Sequence, residues 1–172
     1  MSARAPLTVA DLARLAAVAA EATDPRVVFA AADRLVAAAI GHRLFTVTGV
    51  HHATQEVERL YTSDPVAYPV GGRKSKRNTD WGRIVLAEGR VFVAATPEEV
   101  RRHFADHARL AGLGIGAILN VPITAGGCVR GVMNVSHQAG WFTAEDVERG
   151  RVIAGLLAAA FLVAAPAAAP AP

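Results

Sequence analysis

Residues 118–135 have the sequence Ile-Leu-Asn-Val-Pro-Ile-Thr-Ala-Gly-Gly-Cys-Val-Arg-Gly-Val-Met-Asn-Val. Aliphatic and β-branched residues dominate both halves, and the Ala-Gly-Gly between them suits a tight turn. The pattern predicts a β-hairpin with strands at 118–123 and 129–136. Such a hairpin must bury an apolar face, so neighbouring elements of the chain should supply a packing layer.

Helical patterns at both ends of the chain can form that layer. The first helix is predicted at 9–22, with Thr8 as its N-cap, and the second begins at Pro25. The last helix is predicted from Thr143 to about residue 165, and it is apolar almost all round.

Short β and helical patterns alternate between these terminal helices. The predicted elements are strands at 44–50 and 56–62, a long loop at 63–78, a short helix stopped by Gly89, a strand at 91–93 and a helix at 97–106. Loops as long as 63–78 are usually functional in compact domains. Antiparallel hairpins with helices at both chain ends indicate an α+β fold.

The composition argues against several classes of protein. The chain has 172 residues, which fits one domain, and its net charge of +3 is too small to indicate a nucleic-acid-binding surface. Cys128 is the only cysteine, which leaves no disulfide framework and no four-thiolate zinc site. The N-terminus lacks the apolar stretch of a signal peptide, and the apolar segment at 152–165 is shorter than the roughly 20 residues of a membrane span. We therefore expect a cytoplasmic protein without metal, cofactor, nucleic-acid or membrane partners.

The closing hairpin resembles the last two core strands of the GAF domain family. The segment Gly89-Arg90-Val91-Phe92 and the start of the final helix at 142–146 carry the same resemblance, which spans about residues 8–163. It implies an antiparallel sheet with the N- and C-terminal helices packed on one face and a ligand pocket on the other. One GAF-like domain is thus expected at 1–165, followed by a disordered Ala/Pro tail at 166–172.

The resemblance alone does not identify a ligand, because GAF domains mostly bind diverse small molecules and a few are enzymes. Phe104-Ala105-Asp106 does not fit the motif of the cyclic-nucleotide-binding subset. The free methionine sulfoxide reductases of this fold use several pocket cysteines, and Cys128 by itself cannot replace them. Both of these specialised functions are therefore disfavoured.

The loop at 68–74 and the tyrosine before it form the first candidate binding site. The two glycines let the backbone approach a ligand closely, and the adjacent basic pair suits a carboxylate or phosphate. This favours an anion clamp over the pocket, whereas the alternative is a mobile, solvated surface loop. The candidate ligand-binding residues are Tyr61, Tyr68, Gly71, Gly72, Arg73 and Lys74.

Asp106 and His107 form the second candidate site. A carboxylate beside an imidazole can orient a ligand or transfer protons, so these two residues are the catalytic pair if the protein is an enzyme. The alternative is a helix C-terminus at which His107 complements the helix dipole. His103 and His107 have the i,i+4 spacing of metal ligands, but the sequence places no third ligand.

Three further residues are candidates for ligand contact. Trp81 can cover the mouth of the pocket or pack in the core. Asn120 and Asn134 lie on the two strands of the closing hairpin, where they can contact a ligand or hydrogen-bond across the strands.

Two functions from different classes are consistent with these patterns. The first is a small-molecule-binding sensory module for an anionic metabolite that bears a carboxylate or phosphate, with its output passing through a partner or a dimer. The second is a small enzyme that uses Asp106, His107 and a tyrosine as acid–base groups. A homodimer through the terminal helices is also expected, because the apolar residues of the last helix cover more than one stripe: Ile153, Leu156, Leu157, Phe161 and Leu162.

Overall fold

A six-stranded antiparallel sheet organises the chain in the computed structural model, which describes residues 4–163. In chain order its strands are β1 Leu44–His51, β2 Glu56–Thr62, β3 Arg73–Ser75, β4 Phe92–Ala94, β5 Ala117–Ala125 and β6 Cys128–His137. Across the sheet the order is β3-β2-β1-β6-β5-β4. The predicted hairpin is β5–β6, and it joins the β1–β2 hairpin through the antiparallel β1–β6 pair.

Helices cover both faces of this sheet, but unequally. The helices are α1 Val9–Glu21, α2 Pro25–Ala39, α3 Pro97–His103, α4 His107–Gly112 and α5 Ala144–Val163, with a π-helical segment at Gly82–Ala87. The long helices α1, α2 and α5 pack together on one face. The short helices α3 and α4 and the π-helical segment contribute to the other face. The predicted α+β fold is confirmed.

The main core lies between the sheet and the three long helices. Its largest buried side chains include Phe29 from α2, Phe45 from β1, Met133 from β6, and Ile153 and Leu157 from α5. Burial of each such side chain contributes about 1.5–3 kcal/mol. This face therefore supplies most of the stability of the fold.

The helix starts predicted from capping residues are confirmed. Thr8 and Asp11 form a reciprocal capping box at α1, in which each side chain accepts a hydrogen bond from the backbone N–H of the other residue. Thr143 and Asp146 cap α5 with the same arrangement. These caps satisfy N–H groups that a helix cannot pair internally.

A β-bulge in β2 turns Tyr61 away from the face that carries Val57 and Arg59. Val47 pairs with Tyr61 and Thr48 pairs with Arg59, so Leu60 is the extra residue between them. Regular alternation along a strand would put Val57, Arg59 and Tyr61 on one side of β2, and the bulge removes Tyr61 from that side. An extra residue reverses the alternation of side chains along a strand, and a bulge is invisible in a short apolar pattern.

Two further elements differ from the sequence prediction. The helix predicted at 97–106 ends earlier, at His103, because Phe104 is extended (φ −125°, ψ 114°) and packs its ring 6.3 Å from that of Phe92. A separate helix that was not predicted, α4, begins at His107. Part of the predicted loop at 63–78 forms strand β3, which pairs with β2.

The predicted tail at 166–172 lies outside the described residues. No helix within residues 4–163 is both long and apolar enough to cross a bilayer.

Gly82, at the start of the π-helical segment, should not tolerate a side chain. A Cβ at this position would lie 2.2 Å from the carbonyl oxygen of Lys76, so we expect Gly82→Ala to lower the free energy of unfolding by about 1–3 kcal/mol. Gly112 in the last turn of α4 is the matched control, because a Cβ there meets no described atom within 4 Å. Gly112→Ala should raise the free energy of unfolding by about 0.4–1 kcal/mol. Urea denaturation checks both, and equal stability of the two variants would contradict the close packing of Gly82.

Candidate functional site

A pocket lies on the face of the sheet opposite α1, α2 and α5. It separates two small apolar clusters, one that includes Leu44, Leu110 and Ile118 and another built around Trp81 and Val85. The cavity has a volume of about 90 Å³. Its polar and aromatic lining residues are Thr46, Thr48, Arg59, Tyr68, Lys74, Lys76, Trp81, Phe104, Asp106, Asn120, Asn134 and Ser136.

A chain of hydrogen bonds forms the floor of the pocket. Asn120 and Asn134 are directly opposed on β5 and β6, and Asn120 Nδ2 donates to Asn134 Oδ1 at 2.6 Å. Asn134 Nδ2 donates to Thr46 Oγ1 on β1 at 3.1 Å, and Asn120 Oδ1 accepts from the Trp81 indole N–H at 2.9 Å. The floor is therefore a polar network that links three strands to the π-helical segment.

Asp106 joins the loop before β3 to the start of α4 at the rim of the pocket. Its Oδ2 accepts hydrogen bonds from Tyr68 Oη at 3.0 Å and from Lys74 Nζ at 2.7 Å. Burial by itself raises the pKa of Asp106, but the hydrogen bond and charge of Lys74 and the hydrogen bond from Tyr68 outweigh it, so the pKa is lowered. Burial and the Asp106 charge raise the pKa of Tyr68. At neutral pH the rim thus contains a carboxylate, an ammonium and a protonated phenol.

Lys76 lies deeper, between aromatic rings. Its Nζ is 4.4 Å from the centre of the Trp81 ring and 5.8 Å from that of Phe104. Burial, followed by the charge of Lys74, lowers the pKa of Lys76 to about 8, although Asp106 opposes the shift. Near pH 8, Lys76 is therefore a neutral amine in a substantial fraction of the protein molecules.

Arg59 is the third cationic side chain of the pocket. Its guanidinium lies 4.9 Å from the centre of the Tyr68 ring, and Nη1 donates to the Pro69 carbonyl oxygen at 2.8 Å. Nε is buried and has no hydrogen-bond partner among the described residues. A buried donor of this kind favours an acceptor from a ligand or from water.

The structure brings six of the sequence-predicted residues together in the pocket: Tyr68, Lys74, Trp81, Asp106, Asn120 and Asn134. The two asparagines hydrogen-bond across the strands, which was one of the two predicted alternatives, and they also line the pocket, where contact with a ligand stays a prediction. The other predicted residues lie elsewhere.

Arg73 and Tyr61 point away from the pocket, which corrects their assignment as ligand-binding residues. Arg73 is the strand neighbour of Lys74 and so faces the other side of the sheet, where its Nη2 lies 2.8 Å from Glu58 Oε2. Tyr61 follows the β2 bulge and donates to Asp33 Oδ2 of α2 at 2.8 Å. Neither side chain lines the cavity.

Gly71, Gly72 and His107 are likewise outside the lining of the cavity. Gly72 lets the chain pass close to Arg59, because a Cβ there would lie 3.2 Å from Arg59 Nη1. His107 is the first residue of α4, and the Asp106 carboxylate is occupied by Tyr68 and Lys74 instead. The predicted Asp106–His107 acid–base pair is therefore not formed.

Metal binding has no support in this site. The break at Phe104 places His103 and His107 in separate helices, so the i,i+4 spacing does not bring them onto one helical face. Within residues 4–163, no group of three or more His, Cys, Asp or Glu side chains could hold a metal ion.

Two residues that line the cavity were not predicted from the sequence, Arg59 and Lys76. Arg59 alternates with Val57 along β2, which indicated a shared face but not that the face lines a pocket. Lys76 belongs to the basic run at 73–77, a composition that usually indicates a solvated loop. The sequence nevertheless distinguishes Lys76 from other basic residues. Lys74 and Lys76 are the only lysines of the chain, and every other strongly basic side chain is an arginine.

The chain thus has a layered α+β fold with a pocket on the sheet face opposite α1, α2 and α5. The family model for the GAF domain matches residues 8–161. The chain therefore belongs to the GAF domain family. No curated protein matches it.

Solved GAF domain structures share the fold at low sequence identity. The GAF domain of a phosphoenolpyruvate-protein phosphotransferase from Coxiella burnetii superposes with a TM-score of 0.74 at 15% identity, covering 90% of this chain and 92% of that one. A free methionine-R-sulfoxide reductase from Neisseria meningitidis, in complex with its substrate, gives 0.69 at 18% identity over 95% and 97% of the two chains. The chromophore-binding domain of a bacteriophytochrome from R. palustris gives 0.66 at 12% identity over 87% and 58%. These similarities establish the fold alone.

The lowered pKa of Lys76 predicts a specific dependence of stability on pH. Between about pH 8 and 10.5 the unfolded chain binds the Lys76 proton and the folded chain does not, so stability rises with pH in this window. The difference in unfolding free energy between wild type and Lys76→Met should rise there by at most about 1.4 kcal/mol per pH unit. Urea titrations from pH 7 to 10 measure it. A difference that stays flat would show that the Lys76 amine is not desolvated.

Proposed function

We propose that this GAF domain binds a small anionic metabolite bearing a carboxylate or phosphate. The observation that carries the proposal is the charge of the pocket: Arg59, Lys74 and Lys76 surround Asp106, the one acidic side chain among the lining residues. Because Lys74 already pairs with Asp106, two cations have no described ion-pair partner. An anionic ligand would offset that charge.

The arrangement of donors supports the same class of ligand. Arg59 offers a buried Nε to a bound acceptor, while the Asn120–Asn134 floor can hydrogen-bond a polar group at the opposite side of the cavity. The aromatic rings of Trp81 and Phe104 add apolar surface to the lining. A few polar groups in a largely apolar cavity is the usual design of a small-molecule site.

Some of the fold neighbours bind small molecules, which supports a ligand-binding function. One of them, the reductase from Neisseria meningitidis, has a structure with its substrate, and another is a chromophore-binding domain. The sensory function is favoured over the acid–base enzyme, because His107 lies outside the pocket lining and Asp106 is held in an ion pair. The exposed single thiol of Cys128 favours a reducing, cytoplasmic location.

Arg59 provides the direct test of anion binding. Arg59→Gln should weaken binding of small carboxylates by about tenfold or more, the loss expected for one charge-assisted hydrogen bond. Isothermal titration with pyruvate, lactate, succinate and inorganic phosphate measures this, and thermal melting checks that the variant is folded. Arg73→Gln is the matched control, since Arg73 lies on the other face and pairs with Glu58. Equal affinities for both variants, or no binding of any of the four anions, would refute the proposal.

A homodimer through the terminal helices is also proposed. Ile153 and Leu157 are already buried in the core, so they no longer argue for a partner. Several apolar side chains of α1, α2 and α5 do remain exposed, and they are Val9, Val27, Val152 and Leu162. Their side chains offer an apolar surface to a second copy.

Light scattering tests the dimer with a matched pair of variants. Leu162 is 64% exposed on α5, and Val66 is 92% exposed in the loop before β3. At high micromolar concentration we expect a dimer mass for the wild type and for Val66→Glu. Leu162→Glu should shift towards the monomer because it buries a charge in the interface. A monomeric wild type would contradict the proposal.

A further inference from the structure

The chain uses lysine only at the pocket. Lys74 and Lys76 are its only lysines, although it has many arginines on its surface. Arginine provides the same positive charge, but its guanidinium is never deprotonated in proteins, whereas a lysine amine becomes a nucleophile once it loses its proton. Two lysines confined to one cavity indicate a need for amine chemistry at that place.

The two lysines have different environments. Lys74 Nζ lies 2.7 Å from Asp106 Oδ2, with which it forms an ion pair. Lys76 has no ion-pair partner within residues 4–163 and is packed against Trp81 and Phe104. An apolar pocket and a neighbouring cation are the two conditions that favour the neutral, nucleophilic form of a lysine. Lys76 meets both conditions, and its pKa of about 8 agrees.

The backbone holds Lys76 in this position. Its N–H donates to the Gln55 carbonyl oxygen at 2.8 Å, and its own carbonyl oxygen packs so closely on Gly82 that no side chain would fit there. The Thr79 hydroxyl also donates to that carbonyl oxygen at 2.8 Å. The backbone of Lys76 is therefore held in place, and its side chain lines the cavity.

We propose that Lys76 forms a reversible imine with the carbonyl carbon of a small 2-oxo acid bound in the pocket. This inference rests on the proposed binding of an anion and names its class. The neutral amine adds to the carbonyl carbon, the C–N double bond forms, and the carbonyl oxygen leaves as water with the two amine protons. Nothing is oxidised or reduced, and hydrolysis reverses the step.

Both parts of a 2-oxo acid have partners in the cavity. Its carboxylate suits Arg59, whose Nε is buried without a partner among the described residues, and the adjacent carbonyl would face Lys76. The cavity has a volume of about 90 Å³, which suits a small ligand such as a short 2-oxo acid. A simple carboxylate would satisfy Arg59 but would leave no use for an amine.

Reductive trapping tests the imine directly. The full chain is incubated at pH 8 with pyruvate and sodium cyanoborohydride, and intact mass and tryptic peptide mapping locate the product. We expect one 1-carboxyethyl group on Lys76, and complete loss of that label in Lys76→Arg, which keeps the charge. Arg73→Gln, outside the pocket, should be labelled as the wild type is. Lactate, which has a carboxylate but no ketone, should compete with pyruvate and give no product.

The outcomes separate this inference from the proposed function. Label on Lys74 or on the N-terminal amine, or no label while titration shows pyruvate binding, would overturn the imine and leave anion binding intact. Failure of pyruvate, lactate, succinate and phosphate alike to bind would overturn both. Thermal melting of Lys76→Arg shows whether loss of label reflects the amine or loss of the fold.

Discussion

The hydrogen bond between Asn120 and Asn134 is the interaction on which the pocket face depends. Asn120 is almost completely buried, and a buried amide is costly unless its donors and acceptors are paired. Asn134 pairs one side of it, and the Trp81 indole pairs the other. The register of β5 against β6 therefore also sets where the π-helical segment docks. Trp81 in turn supplies the ring against which Lys76 is packed.

The two faces of the sheet differ in composition: one packs the main hydrophobic core, and the other lines the candidate binding pocket. The face under α1, α2 and α5 is filled by aliphatic and aromatic side chains, and its burial stabilises the fold. The opposite face places amides, a carboxylate and three cations around a partly buried pocket, and removing such groups from water is costly without compensation. Asp106 compensates by pairing with Lys74 and accepting from Tyr68, but it leaves Arg59 and Lys76 without charge partners among the described residues. That incomplete compensation is what makes the pocket a candidate for an anionic ligand.

Single-residue geometry decides which charges reach the pocket. Lys74 and Arg73 are adjacent in sequence, yet the pleat of β3 sends the lysine into the cavity and the arginine to Glu58 on the other face. The bulge at Leu60 likewise separates Arg59, which lines the cavity, from Tyr61, which bonds to α2. A shift of one residue in either strand would exchange these assignments.

The sequence by itself determined the local elements of this protein. Helix caps at Thr8 and Thr143 and the Gly-Gly turn of the closing hairpin act over a few residues, so they could be recognised without a structure. The GAF fold was expected from the resemblance of the closing hairpin to that family. The membership of Tyr68, Lys74, Trp81, Asp106, Asn120 and Asn134 in the site was also predictable. Only the tertiary structure decided that Arg59 and Lys76 join them and that Arg73, Tyr61 and His107 do not. The physical reason is that a bulge, a strand register and the early end of a helix are set by contacts between distant segments. Local periodicity in the sequence carries no information about such contacts.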